Sequence, residues 1–594
     1  MSYQDFDDCQ FMLALKQRDD LDPFKENKIA AFGMELCFSI DDPIATLLPA
    51  VTGGGGDAKI DLLFVSRDLG VIVVCQAYES SRFRKSALGN KGTDLGHAMS
   101  VLLATDEAKL PEGVAPHIKD ARAAIREGTI RAVHVWYVHN CPESLQIQQD
   151  MELCVAGIKT MLDAYGDVSK NIALQFKEVG LETLDSFYRA SSQSIAVTDL
   201  FEFGEPRKGF LMHDADWKTF ITTVNGQWLA DLYRKYESRG LYNPNVRGFM
   251  GANNKDSDKV INAGIQSSAK ESPQDFFVFN NGITALVHDF ELVDDALIKS
   301  VTGIGIVNGA QTTGSLGELD PREDLSKIEV GVRFIKCENK ETVRSITRFN
   351  NSQNKVIQSD FRAHDTIQSR LRDEFRTLRI AEYDGGLRGH IFENKKNKIE
   401  SHTAAQALTA WHGSPYDSYH NKMQIWEDDK HYKIAFNEVI SAQHVLFVYS
   451  LNEAANLLKS ELQEKQKQGQ IMQDEKDLLG FLNERGSAFM TVHGMSGLLE
   501  TLLETKILSP YKIGFKKTVS KDQACDLWMN LLKVFSKLVV LLRPGTTGRL
   551  SNSGEIQKAQ KEFIRSAGTI APFMKSMTGG NPFEFFVKKI DNKI

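Results

Sequence analysis

Three clusters of side-chain amides could do chemistry on a phosphorylated ligand. They are Asn280-Asn281-Gly282, Asn308-Gly309-Ala310-Gln311-Thr312-Thr313 and Asn350-Asn351-Ser352-Gln353-Asn354, and each ends an apolar run. A turn needs one glycine and one turn former, so amides grouped this densely exceed what loop geometry requires. A planar amide offers a donor pair and an acceptor, which suits a base edge, a sugar or a phosphate ester. The nucleic-acid- or phosphate-binding candidates are Asn280, Asn281, Asn308, Gln311, Thr312, Asn351, Gln353 and Asn354, with Arg333 in the run VGVRFIKCE and Arg344, Arg348 and Arg362 beyond it. From Arg344 to Arg379 eight arginines and lysines face four acids, a local excess of +4. Arg344 and Arg348 are four apart and share a helical face, and guanidinium forks bind phosphate in pairs of hydrogen bonds. GIGIVNG reads as a buried strand entering a glycine turn, with the helix TTGSLGEL beginning at the hydroxyls. Such a helix N-terminus is an anion-binding geometry, although each cluster taken alone also fits ordinary Asx turns and caps.

The elements that position these groups sit in a chain of 594 residues, long enough for three to four domains. Hydrophobic content of 42% and charged content of 25% are those of a globular protein, and a net charge of -7 restricts any nucleic-acid surface to a local patch. Seven cysteines without CxxC spacing predict buried thiols and no zinc framework. The opening MSYQDFDDCQ is acidic and unlike a secretory leader, and no apolar run approaches a membrane span, so a cytoplasmic location is expected. The five histidines from His390 to His431 lack ligand spacing, and His134 and His139 read as core or rim residues.

Toward the N-terminus, residues 27–40 predict a helix carrying Glu35. Ile60–Val65 and Val71–Gln76 are β-branched runs joined by Ser66-Arg67-Asp68-Leu69-Gly70, the pattern of a hairpin. With Asp68 and Leu69 at the turn centre, Asp61 lies opposite Gln76, and Tyr78 shares the Gln76 face because side chains repeat every two residues. Lys59, Asp61, Gln76 and Tyr78 then project together at one end. Thr93-Asp94 reads as the cap of a helix, Ile130–Val138 and Asn171–Val179 as further strands, and residues 151–165 as a helix.

This arrangement resembles the PD-(D/E)xK nuclease fold, most closely its Mrr-like branch, in which glutamine often takes the second acid position. The resemblance implies Asp61 and Gln76 as ligands of Mg²⁺ or Mn²⁺, Glu35 as an assisting carboxylate, and phosphodiester hydrolysis by metal-activated water. The lysine expected at position 78 is Tyr78, which leaves Lys85, Lys91, Arg82 or Arg84 to take its place, or the site inactive; Asp57 is a further candidate ligand. Further on, NVRGFMG with INAGI, FFVFNNGIT, IVNGAQTTGSL, RFNNSQN and DFRAHD follow in order, and over residues 200–440 they resemble the AIPR family of abortive phage infection proteins. NGAQTTGSL is also faintly similar to the nucleotide-binding signature of ParB-like domains, with asparagine for aspartate and no arginine.

The chain therefore reads as multi-domain α/β. A restriction-endonuclease-like domain over 1–190 precedes a central α+β domain over 191–440 and a mostly α-helical region over 441–594. Within the last, Gln463–Lys476 predicts an exposed helical connection and Asp522–Leu542 one long helix. The resemblances imply a phage-defence protein with metal-dependent DNA endonuclease activity, controlled by a central domain that binds nucleic acid or a nucleotide. The alternative is a catalytically inactive DNA- or nucleotide-binding sensor. DNA is the expected partner, a nucleotide or phage component a second one, and a homodimer is compatible with the broad apolar stripe of Asp522–Leu542.

Overall fold

Strands β1 (Leu62–Ser66) and β2 (Val71–Tyr78) pair antiparallel from Leu62↔Cys75 to Ser66↔Val71, so the turn centres on Asp68 and Leu69 as the spacing predicts. The computed structural model describes residues 3–38, 40–52, 58–170, 172–192, 195, 197–236, 241–242, 256–339, 342–343, 345–346, 362, 365–386, 392, 394–578 and 581–592, without the side chains of 90–93, 190–192, 256–263 and 578. β3 (Ala132–His139) and β4 (Ala173–Val179) continue the sheet in parallel, in the order β1-β2-β3-β4. Parallel neighbours need crossovers, and the helices Asn90–Ala104 and Ala115–Arg126, then Leu145–Leu153 and Val155–Asp163, supply them. The first of these begins at Asn90, so Thr93 and Asp94 lie inside the helix rather than capping it.

Both sheet faces are covered, which explains the unbroken apolar runs. Leu62, Phe64, Val71, Val73 and Cys75 pack with the helices Lys28–Phe38 and Leu181–Ser192, while Leu63, Val65, Ile72 and Val74 pack with the helices between β2 and β4. His134 and His139 are buried in this unit.

The second sheet curls on itself. β5 (Val197–His213), β6 (Trp217–Asn225), β7 (Ile283–Val287), β8 (Asp289–Asp294), β9 (Leu297–Asn308) and β10 (Glu329–Cys337) run in the order β5-β6-β10-β7-β9-β8, and β5 also pairs with β9. The long β5 closes the ring because its first part pairs with β9 and its end, from Gly209 to His213, with β6. Phe220, Val224, Ile304, Ile306, Val330, Val332 and Phe334 fill the interior.

The remaining helices share one core that runs from Leu371 to Ile590 without a break near residue 440. Thr366–Leu378 buries Leu371 and Phe375, as its periodicity predicts. The long helix expected over Asp522–Leu542 is instead Lys521–Val534, a short Ser536–Val539 turn and a 3₁₀ segment. Gln463, expected in an exposed connection, is buried near the end of the helix Ala442–Lys467 and donates to the Val51 carbonyl at 3.2 Å. The same helix grips the N-terminal unit through Tyr449 on Asp42 (2.9 Å) and Lys459 on the Pro49 carbonyl (3.0 Å). None of the described helices is long and apolar enough to cross a membrane. The seven cysteines are unbridged, five of them buried.

Beside this junction Asp384 and Glu400 are both buried. Asp384 accepts from the Ser401 N–H at 2.8 Å, and Glu400 lies 3.5 Å from the Lys398 amine; burial first, and then Asp384, push the Glu400 pKa well up. A raised native pKa carries stability that is full below the ordinary value of 4.5 and is lost as pH rises through the native value. Lys459 acts oppositely but at higher pH: burial pushes it down to about 7, so its contribution is lost only as pH falls from its ordinary value of 10.5. Between about pH 5 and about pH 7, the melting temperature is therefore expected to fall relative to that of Glu400→Gln, whose amide does not titrate. A pH-independent difference between the two melting curves would show that Glu400 is ionised in the fold.

Candidate functional site

Asp61 stands one residue before the paired register, opposite Gln76. Its N–H donates to the Cys75 carbonyl at 2.9 Å, and its Oδ2 accepts from the Ala77 N–H at 2.8 Å. Gln76 is 2% exposed, and its Oε1 has no hydrogen-bond partner. Leaving such an acceptor desolvated costs about 1–3 kcal/mol. The row continues in register through Tyr137 to Glu178. There the charge is satisfied: Cys141 N–H donates to His139 Nδ1, so Nε2 carries the proton and donates to Glu178 Oε1 at 3.0 Å, while Ser144 N–H donates to Oε2 at 2.9 Å. The unsatisfied end of the row is Gln76 beside the Asp61 carboxylate.

These two groups fit a hard cation in donor type. Mg²⁺ is ordinarily held by one or two carboxylates, with water and substrate phosphate completing its shell. Among the described residues no three His, Cys, Asp or Glu side chains converge as a metal cage, so the described contribution is the Asp61 carboxylate and the Gln76 amide oxygen. Tyr78 is half-buried on the same strand face, and Lys59, whose φ is +65°, sets its amine 4.0 Å from Asp94. Lys85 is exposed in the 79–89 segment; Asp57 and the side chain of Lys91 lie outside the described residues.

Glu35 is placed elsewhere. Its helix packs on the Cys75 face, and alternation puts Gln76 on the other. Its carboxylate pairs with Arg18, which also holds Asp20 by two bonds of 2.7 Å, and lies 3.7 Å from Lys395. Sequence gives Glu35 a helix but not a sheet face, which is where the expectation of a shared shell fails.

Two of the three amide tips do come together on the barrel. Arg333, Thr284 and Asn308 are register partners across β10, β7 and β9, and the Arg333 guanidinium donates to Thr284 Oγ1 at 2.6 and 3.2 Å. Thr312 Oγ1 donates to the Asn281 carbonyl at 3.4 Å, joining the tips directly. Asn281 is exposed, Gln311 half-buried and Thr312 buried at the start of the helix Ala310–Gly317. Asn280 serves structure: its Nδ2 bonds Ser268 Oγ at 2.9 Å and the Phe276 carbonyl at 3.1 Å.

Glycine makes this meeting possible. Gly309 has φ +97°, and a Cβ there would lie 2.4 Å from the Ile283 side chain; a Cβ on Gly282 would lie 2.4 Å from the Gly331 carbonyl. Gly309→Ala is expected to destabilise the barrel by more than about 1 kcal/mol, because it adds left-handed strain to an overlap. Denaturant unfolding checks this, and an unchanged midpoint would contradict the packing.

Arg362 is spent on packing: it lies 4.3 Å over the Tyr432 ring, donates to the Trp426 carbonyl at 3.0 Å and pairs with Asp429. Arg344, Arg348, Asn351, Gln353 and Asn354 lie outside the described residues. Nothing in the sequence pattern singles out Phe277, Val278 and Phe279. Phe276–Phe279 is a helical turn that buries Phe276 and leaves the other three exposed.

No curated protein and no solved structure matches this chain. The profile of the AIPR protein family matches residues 242–538, which takes in both barrel tips and most of the helical core. With half of its length matched, including the ordered motifs around Asn281, Asn308 and Arg362, the chain belongs to the AIPR family.

Proposed function

We propose that this AIPR-family chain is a bacterial abortive-infection protein whose N-terminal unit hydrolyses DNA phosphodiesters with Mg²⁺ or Mn²⁺, under the control of nucleic acid or nucleotide held by the AIPR region. The observation that carries the reading is the orphaned Gln76 oxygen opposite the Asp61 carboxylate, a buried acceptor that a cation would satisfy. The ion, when bound, would supply an activated water and offset charge on the scissile phosphate. Asp61 and Gln76 hold it, the Ala77 N–H orients the carboxylate, and Lys85 takes the cationic role of the residue replaced by Tyr78.

Control is supported by the backbone path into the site. The helix Ala442–Lys467 holds the carbonyls of Pro49 and Val51, and Thr52 N–H then donates to the Asp61 carbonyl at 3.1 Å. A displacement of that helix is thus passed to Asp61 within a few residues.

Plasmid nicking by the full chain tests the reading. Cleavage is expected with Mg²⁺ or Mn²⁺ and none with a chelator. Tyr78 in the lysine position favours the second reading, a sensor without catalysis, and DNA retention without cleavage under all metal conditions would select it.

A further inference from the structure

The outer face of the barrel carries exposed aromatic side chains. Along β10, Val330, Val332 and Phe334 point into the core, so Gly331, Arg333 and Ile335 point outward. The register Phe210↔Ile221↔Arg333↔Thr284↔Asn308 then places Phe210 of β5 on the same outward row as Arg333 and the amide tips. Phe210 is 54% exposed and Met212, two residues on along the same face, 47%; Lys208 on the same alternation is exposed too.

Phe277 reaches this face from the side. A Cβ on Gly331 would lie 3.2 Å from Phe277 Cε2, so the ring rests on the one outward position of β10 that has no side chain to displace it. It is still 52% exposed, and Phe279 beside it is 63% exposed. Gly331 and Arg333 are about 7 Å apart along the strand, and Phe210 is two strand spacings, about 10 Å, from β10. From Lys208 to Met212 on β5, and from Gly331 to Ile335 on β10, no outward position is a carboxylate; at the margins Glu329 is held by Arg207 at 3.0 Å and Asp214 is exposed. In a chain of net charge -7, this is a locally cationic and aromatic surface.

We propose that this face binds single-stranded nucleic acid, with bases stacked on Phe277 and Phe210, backbone phosphates on Arg333 and Lys208, and a base edge within reach of the exposed Asn281. Stacking platforms interleaved with cations are how single strands are held, because every base offers a π face once it is unstacked from a duplex. Paired bases offer none, so a duplex binds this surface poorly. The proposal rests on the reading that the AIPR region holds nucleic acid and names the form it takes; it does not require that the N-terminal unit cleave.

The test is fluorescence anisotropy of a labelled oligo(dT) with the full chain in chelator, where cleavage cannot contribute, beside a duplex of equal length. Phe210→Ala and Phe277→Ala are each expected to weaken oligo(dT) binding about tenfold, Phe277→Trp to retain it, and Arg333→Gln to lower the salt slope by about one. All three positions are exposed, and unchanged melting temperatures confirm that the four variants are folded. Equal affinity for duplex, or alanine variants that bind like the parent, would overturn the proposal. So would light scattering that shows a dimer dissociated by Phe277→Ala with oligo(dT) binding unaltered, which would assign the face to a second copy of the chain. Loss of cleavage in Asp61→Asn with oligo(dT) binding intact separates this site from the catalytic reading.

Discussion

Asp61→Asn is expected to lower metal-dependent plasmid nicking by at least about a hundredfold, since even partners of metal ligands cost 10–100-fold when removed. Asparagine keeps an oxygen for the Ala77 N–H at Oδ2's position, so the strand pairing survives and the loss reports charge alone. Gln76→Leu gives the complementary signature. Its orphaned oxygen is a liability to the fold, and an apolar replacement of similar size is neutral or stabilising. The variant is expected to melt at or above the parent temperature while losing cleavage. A residue that costs stability yet is needed for activity is a ligand-binding residue, whereas a variant that is destabilised and fully active would remove Gln76 from the site.

Asp120→Ala is expected to cost about 3–5 kcal/mol, the range for breaking a buried ion pair from one side. Asp120 is 2% exposed and binds three arginines from distant parts of the chain: Arg67 at 2.9 Å, Arg485 at 3.1 Å and Arg549 at 3.1 Å. Glu127 also pairs with Arg67, at 2.8 Å, and with Arg549. The alanine removes the carboxylate that Arg485 pairs with and leaves Arg67 and Arg549 to Glu127, at the junction of the N-terminal sheet and the helical region. The loss should therefore appear as an early unfolding transition that separates the two units, read by denaturant titration with probes on each. A single transition at the parental midpoint would mean that solvent already screens the cluster.

Local order was legible wherever the pattern repeats within a few residues. The β1–β2 register follows from two β-branched runs and a short turn, and with it the opposition of Asp61 and Gln76. The amphipathic helix Thr366–Leu378 and the strand–glycine–helix passage at Gly309 follow likewise from period and turn chemistry. The failures are of a different kind. Phe276–Phe279 stays open between strand and helix in the sequence because four apolar residues carry no period; the fold makes it a helical turn of which the barrel core accepts only Phe276, and the Asn280 amide bonds back onto the Phe276 carbonyl. Asp522–Leu542 has one apolar stripe, yet its helix ends at Val534 where the shared core turns.

By itself, then, the sequence determined the hairpin with its facing Asp61 and Gln76, the amide tips, and membership of the family, because each depends on neighbours in the chain. Tertiary structure alone decided that Glu35 serves Arg18 across the sheet, that Arg362 packs on Tyr432, and that Phe210, Phe277 and Arg333 share one outer face. Those outcomes depend on which face of an element is buried and which strands meet. Both are set by packing between residues far apart in sequence, where hydrophobic contact and charge pairing act without regard to order along the chain.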